Sequence, residues 1–215
     1  MQSCCQDRVS MMKPAIVEGG LMTMERDHWP MLREETEPPW LSRFRLEQLD
    51  PDRFDARLRH VDVCDGLALS YLTFGGPVEL ELRPMIKTYL AVIPMRGEVR
   101  LVAPGTDVRA TTERAAVVDP VDGHWQVWSA EAEVLFVHVH IRRVSGVTGN
   151  RRRARLRPVL DLATPAGRKW LDSLMSLVRR ADDLADLPPA GEPPLDVLAR
   201  ADELTRALLR LQSVN

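Results

Sequence analysis

From Leu67 onward apolar residues recur at every second position. Leu67, Leu69 and Tyr71 alternate with small or polar neighbours; after Gly75, Gly76 and Pro77, Val78, Leu80 and Leu82 alternate with Glu79, Glu81 and Arg83. Successive side chains on an extended strand point to opposite faces, so this pattern predicts two half-buried strands joined as a β-hairpin. Tyr89 to Met95 is a mostly apolar run closed by Arg96 and Gly97, and Glu98 to Val102 alternates again before Pro104 and Gly105. Val108 to Thr112, Ala115 to Val118, Trp125 to Trp128 and Val134 to Ile141 complete seven or eight short strands, with turn residues such as Pro120 and Gly123 between them. Short strands punctuated in this way predict a sandwich or barrel.

Beyond Gly146 the period changes. Thr164 is placed to cap a helix whose first position is Pro165, and Trp170, Leu174, Leu177, Ala181 and Leu184 then follow at helical spacing until Pro188 and Pro189. A short polar connection, 188–194, leads to a second stripe formed by Leu195, Leu198, Ala201, Leu204, Leu208 and Leu211. Two helices joined so closely are expected to pack antiparallel.

Ahead of the strands the pattern is weak. Residues 1–40 hold many of the methionines and the breakers Gly19, Gly20, Pro30, Pro38 and Pro39, which favours a flexible leader. One helical turn is expected near Pro51 to Leu58, capped by Asp50. The expected division is therefore a leader (1–40), a β-barrel (41–150) and a helical subdomain (151–215).

Composition narrows this only modestly. A chain of 215 residues is long enough to bury one substantial core, and its formal net charge of -2 provides no overall attraction to nucleic acid or anionic lipid. Three cysteines, two of them adjacent (Cys4 and Cys5, with Cys64 apart), do not suggest a disulfide framework and suit a reducing cytoplasm. The longest apolar stretch, Val134 to Ile141, is interrupted by two histidines, so no membrane span is expected.

Three segments, TYLAVIPMRGEVRL, RAAVVDPVDGHWQVWSAEAEVLFVHVHI and RPVLDLATPAGRKWLDSLMSLV, stand in this order in the chain. Together they resemble the N-terminal ligand-binding and dimerisation domain of AraC-type transcription regulators, over roughly residues 43–212. The resemblance implies an α+β, mainly β fold: a cupin-like (jelly-roll) barrel followed by a C-terminal antiparallel helical pair. It also implies a cytoplasmic bacterial regulator that binds a small-molecule effector and forms a homodimer, for which the exposed sides of the two helices, through Leu204, Leu208 and Leu211, are the expected two-fold surface. Such regulators read DNA through two helix-turn-helix units that would begin beyond Asn215, so DNA contact is assigned to no residue here.

Candidate chemistry concentrates in the barrel segment. His138 and His140, two apart on one strand, share a face and are able to ligate a metal together, as in metal-dependent cupin enzymes, the competing reading. Val144 and Ser145 occupy positions where a carboxylate ligand is wanted, and Glu131 and Glu133 have the opposite parity. His124 lies opposite His138 if a three-residue hairpin loop joins their strands, and faces away if the loop has two. The favoured reading has no metal, cofactor or catalytic residue, because no phosphate-binding glycine loop and no local nucleophile motif is present.

Leu135, Val137, Val139 and Ile141 are assigned by parity to the core, leaving Phe136, His138 and His140 on the other face. The expected effector pocket comprises Tyr89, Arg96, Trp125, Trp128, Phe136 and His138, with aromatic rings lining the barrel; Arg96 or Lys87 would meet an anionic group. Arg142, Arg143, Arg151, Arg152, Arg153, Arg155 and Arg157 form a basic cluster without interleaved aromatics, expected to be a solvated connection.

Overall fold

A computed structural model describes residues 21–22, 44–149, 154–185 and 193–212. In chain order its strands are β1 (Leu21–Met22), β2 (Phe44–Gln48), β3 (Arg57–Cys64), β4 (Leu67–Thr73), β5 (Val78–Leu82), β6 (Thr88–Arg96), β7 (Val99–Ala103) and β8 (Thr106–Ala110). β9 (Arg114–Val118), β10 (His124–Trp128) and β11 (Glu133–His140) follow; α1 (Ile141–Thr148), β12 (Val159–Asp161), α2 (Pro165–Ala185) and α3 (Leu195–Gln212) complete the order. The strands form two six-stranded sheets, ordered β1-β2-β5-β10-β7-β8 and β12-β9-β6-β11-β4-β3.

This is the expected mainly β double sheet with helices, but two expected pairings are corrected. β4 and β5 are not a hairpin: β4 pairs with β3 and β11, whereas β5 pairs with β2 and β10. The Gly75–Pro77 turn carries the chain from one sheet to the other. β10 and β11 likewise lie in different sheets, so neither proposed register of His124 against His138 occurs. Alternation tells which face of a strand is buried but does not identify its neighbour, and hairpin proximity was the wrong inference at both places.

Each face of the second sheet covers a core. Its inner face meets the first sheet through Leu72, Phe74, Leu90, Val92, Val134 and Phe136, opposed by Leu46, Val78, Leu80, Val99, Leu101 and Trp128. Its outer face, with Leu69, Tyr89, Ile93, Leu135 and Val137, is roofed by Val144, Trp170, Leu174, Leu177, Leu204 and Leu208 of the helices. Val134 to Val139 is therefore buried at every residue, where a sheet with one wet face would alternate.

The helices are held by local rules and by one tight approach. Thr164 Oγ1 accepts the Gly167 N–H at 3.0 Å, the expected N-cap. A Cβ at Gly167 would lie 2.0 Å from the Asp161 carbonyl oxygen, so only glycine lets α2 leave β12 so closely. Trp170 Nε1 donates to the Leu204 carbonyl at 3.1 Å, Arg200 donates to Ser176 Oγ at 3.2 Å, and Arg180 pairs with Asp196 at 3.5 Å. As residue numbers rise along α2 their partners fall along α3, so the pair is antiparallel as predicted.

The expected dimer surface is corrected. Leu204 and Leu208 are each 3% exposed and pack into the helix–sheet core of their own chain. Leu211 is only partly buried. The expected pairing missed this because an amphipathic stripe shows that a helix buries one face, not what it buries that face against.

Five elements were not expected from the sequence: β1, β2, β3, β12 and α1. Pro51–Arg53 is a 3-10 turn rather than an α-helical one, and the Arg53 N–H bonds the carbonyl of Asp50, not its side chain. Arg143, grouped with exposed arginines, instead has an 8% exposed side chain and pairs with Asp202 Oδ1 at 2.6 Å. Arg142, Arg155 and Arg157 are exposed, while Arg151 to Arg153 lie outside the described residues. So does most of the expected leader, although Leu21–Met22 pairs with β2, and so does 186–192 within the helix connection.

Candidate functional site

The strand registers arrange the inner face of the second sheet in rows. Leu58, Leu72 and Val134 form one row; His60, Ser70 and Phe136 the next; Asp62, Ala68 and His138 the last. On the facing sheet Trp128, Gln126 and His124 run in the same sense, paired with Val78, Leu80 and Leu82. The first rows are filled by rings, with Phe74 and Phe136 edge-on to Trp128 at centroid distances of 5.0 and 6.0 Å. The last rows are polar, and here a cavity of about 600 Å³ opens. His60, Asp62, Ala68, His138, Met85 and Lys87 line it, with Cys64, Gly66, Leu67, Ile86, Thr88 and His140 at its walls and rim.

Its polar wall is a hydrogen-bonded series. His60 Nδ1 is 2.7 Å from Ser70 Oγ, and Ser70 Oγ is 3.0 Å from His138 Nε2. His60 Nε2 lies 3.5 Å from Asp62 Oδ1, an ion-pair distance too long for a well-formed hydrogen bond. Burial, reinforced by the neighbouring His60, pushes the His138 pKa down to about 3, against a weaker pull from Asp62. His138 is thus neutral at neutral pH. The polar contact with His60 holds the Asp62 carboxyl below its ordinary value, although burial opposes this. On the other sheet burial pushes His124 to about 4. His124 Nε2 and Trp128 Nε1 contact the Gln126 side chain at 2.9 and 2.8 Å.

Asp62, His60 and Ser70 follow one another like the acid, base and hydroxyl of a nucleophilic triad. However, Ser70 is 0% exposed, is held between two imidazoles and is not among the cavity-lining residues, so its hydroxyl is placed to orient rings rather than attack a ligand. His140 ends β11 and caps α1, its Nδ1 accepting the Arg142 N–H at 3.1 Å. Among the described residues no three His, Cys, Asp or Glu side chains form a group able to hold a metal ion.

The six residues expected to line a pocket are dispersed. His138 lines the cavity, and Trp128 and Phe136 lie in the same inter-sheet core. Tyr89 faces the helices instead, its hydroxyl donating to the Ala154 carbonyl. Trp125 is on the outer face of the first sheet, 37% exposed, and Arg96 is a surface residue within 3.8 Å of Glu133. The parity reasoning treated one face of each strand as core and so could not place Tyr89, on a sheet buried on both sides. Lys87 does stand at the cavity, on its exposed rim.

His60, Asp62, Ser70 and Ala68 were missed altogether. A signal was available: in RLRHVDVC, His60 and Asp62 are two apart and so share a face, and that face is the one Leu58 buries.

Behind the cavity, Arg143 joins three parts of the fold. It donates to Asp202 Oδ1 (2.6 Å) and Thr205 Oγ1 (3.2 Å) on α3, and to the Asp65 carbonyl (3.0 Å) and Cys64 Sγ (3.1 Å) in the β3–β4 turn. Gly66 of that turn has φ +76°, and a Cβ there would lie 3.2 Å from both Arg143 Cβ and His140 Cβ.

The chain is a mainly β double sheet with helices over the outer face of its second sheet and a cavity at one end of that sheet. The AraC-binding-like domain family matches residues 41–210, and the chain belongs to it. Its fold is similar to the crystal structure of the AraC-like transcriptional activator CuxR, with a TM-score of 0.61 at 10% identity, covering 80% of this chain and 62% of that one. The chain therefore spans about three-fifths of that activator's length. Weaker likenesses are to KdgF from Halomonas sp. (TM-score 0.36, 12% identity, 44% of this chain and 86% of that one) and to an RmlC-like cupin from Desulfovibrio desulfuricans (0.35, 21%, 43% and 87%). No curated protein matches the chain. No helix among the described residues is long and apolar enough to cross a membrane.

Proposed function

We propose that this chain is the effector-sensing and dimerisation domain of an AraC-type transcription regulator of the bacterial cytoplasm, and that it is not an enzyme. The observation that carries the reading is the 600 Å³ cavity, a volume suited to a small organic ligand, inside a domain of this family. A ligand seated there touches the β3–β4 turn and the β11 end. Arg143 ties both to α3, so different affinities for two placements of α3 bias an attached DNA-binding domain. A coupling of ~1 to 3 kcal/mol suffices for such regulation.

With Leu204 and Leu208 committed to the monomer core, the dimer surface is the outer α2–α3 groove. Lys169, Asp172, Glu203, Ala207, Arg210 and Leu211 contribute to it, and its mixed charges allow two-fold related copies to pair.

Melting curves against a library of bacterial metabolites test the cavity. An effector raises the melting temperature of the native chain, and raises it less in Ala68→Phe, whose ring intrudes into the cavity beside His138. An equal rise in both, or no rise with any compound, counts against the reading. Light scattering tests the groove: twice the chain mass is expected at micromolar concentration, falling to one chain in Ala207→Glu with Leu211→Glu.

A further inference from the structure

Ser70 holds a single hydrogen between two rings. Its Oγ is 2.7 Å from His60 Nδ1 and 3.0 Å from His138 Nε2, and the residue is 0% exposed. A hydroxyl that donates to one of two facing nitrogens must accept from the other, so one of the pair carries hydrogen and the other is bare. The side chains come from the neighbouring strands β3, β4 and β11, so their proton positions are linked across the sheet.

Asp62 decides which nitrogen is which. His60 Nε2 faces Asp62 Oδ1 at 3.5 Å, where a bare lone pair would be repelled by the carboxylate, so Nε2 carries hydrogen. In the neutral ring Nδ1 is then bare and takes the Ser70 hydrogen, and Ser70 in turn accepts from His138 Nε2–H. If His60 takes up a proton, both of its nitrogens donate. Its Nδ1–H then points at Ser70, the hydroxyl turns to His138, and His138 Nε2 has to give up its hydrogen in order to accept. Burial, which pushes the His138 pKa down to about 3, opposes a charge on that ring, so its hydrogen reappears on Nδ1.

The surrounding groups favour uptake at His60 over His138. Asp62, on the same strand, attracts an imidazolium there. Cys64 lies further along β3, and Lys87 and His140 stand at the cavity rim. On the facing sheet His124 is itself pushed by burial to about 4, and Asp202 of α3, which also packs against β3, is engaged by Arg143.

We propose that His60, Ser70 and His138 form a pH-sensitive relay in the cavity wall: a proton gained by His60 reverses the Ser70 hydroxyl and moves the His138 ring hydrogen from Nε2 to Nδ1. One proton is taken up in all, because His138 gives up one hydrogen and receives one. His138 lines the cavity, so the wall has two hydrogen-bond layouts that differ by one charge. The relay does not depend on what occupies the cavity.

The test follows the full chain, with isotope-labelled histidine rings, by NMR that distinguishes a hydrogen-bearing ring nitrogen from a bare one, between about pH 8 and about pH 5. At the upper end His138 Nε2 is expected to bear hydrogen and its Nδ1 to be bare. As His60 becomes doubly protonated, the two His138 nitrogens exchange character with the same midpoint, and the ring stays neutral. Ser70→Ala removes the link and is expected to abolish the exchange at His138 while His60 still titrates. Asp62→Asn, at a position whose side chain is 64% exposed, is expected to move both midpoints together.

The relay is overturned if His138 in the native chain keeps one tautomer while His60 titrates, or takes a second proton. A His60 that never titrates in that range, an exchange that persists in Ser70→Ala, or midpoints that separate in Asp62→Asn would each overturn it as well.

Discussion

At one end of the space between the sheets, Phe74 and Phe136 stand edge-on to Trp128, and the rings fill the volume. Along the same strands of the second sheet, from the row that His60 shares with Phe136 to the next row, His60, Asp62 and His138 border a cavity of about 600 Å³. β4 and β11 supply both ends. What differs is side-chain volume and hydrogen bonding: aromatic rings interdigitate, whereas imidazoles tied to Ser70 hold fixed positions and leave room. Stability is thus concentrated where the interior is dry, and recognition where it is polar.

The largest effect should come from breaking the dry end. Trp128→Ala removes a fully buried ring and is expected to cost about 3–5 kcal/mol in urea unfolding, while Asp62→Asn at the polar end stays within about 0.5 kcal/mol. Equal losses at the two positions would erase the distinction.

Acid should attack the polar end next. His138 and His124 have folded pKa values of about 3 and about 4 against 6.5 for the free side chain, so the unfolded chain binds more protons throughout that interval. Stability is full above about pH 6.5 and falls as pH drops toward 4, each histidine contributing up to about 1.4 kcal/mol per pH unit. Between pH 6 and 5 the two together should cost about 2–3 kcal/mol. Asp62, held below 3.8, acts only at lower pH. Melts of native chain and His138→Gln across pH 7 to 5 check this, and the variant should lose about half of the slope.

A smaller effect is expected at Arg143, behind the cavity. Arg143→Met breaks its bonds to α3 and the β3–β4 turn but leaves Asp202 able to reach water, at a cost of about 1–3 kcal/mol. Amide exchange should rise in α3 and in the turn together; a rise in α3 alone would mean that they are not coupled. The smallest effect belongs to Trp125, outside both ends. Trp125→Thr should change stability by about 1 kcal/mol or less and leave ligand binding unaltered.

Much of the fold was legible because its cause is local. Alternation at Val78–Leu82, the Thr164 cap and the stripe Trp170, Leu174, Leu177 are set by strand and helix periodicity and by one hydroxyl, so those elements formed where expected. The site was less legible. His138 was identified from its strand, but its partners Ser70 and His60 come from strands 68 and 78 residues away in sequence. Tyr89 and Trp125 looked alike as barrel aromatics and proved to lie on two different outer faces.

The sequence by itself determined the strands from β4 to β11 and the two long helices α2 and α3, that the fold is mainly β with helices last, and, through the order of three segments, its family resemblance. Only the tertiary structure decided that β4 and β5 part into separate sheets, that α3 spends its leucines on its own chain, and that His60, Ser70 and His138 meet. The reason is physical: backbone periodicity acts over a few residues, whereas sheet order and cavity position are settled by how whole faces pack, and a face carries no mark of its eventual neighbour.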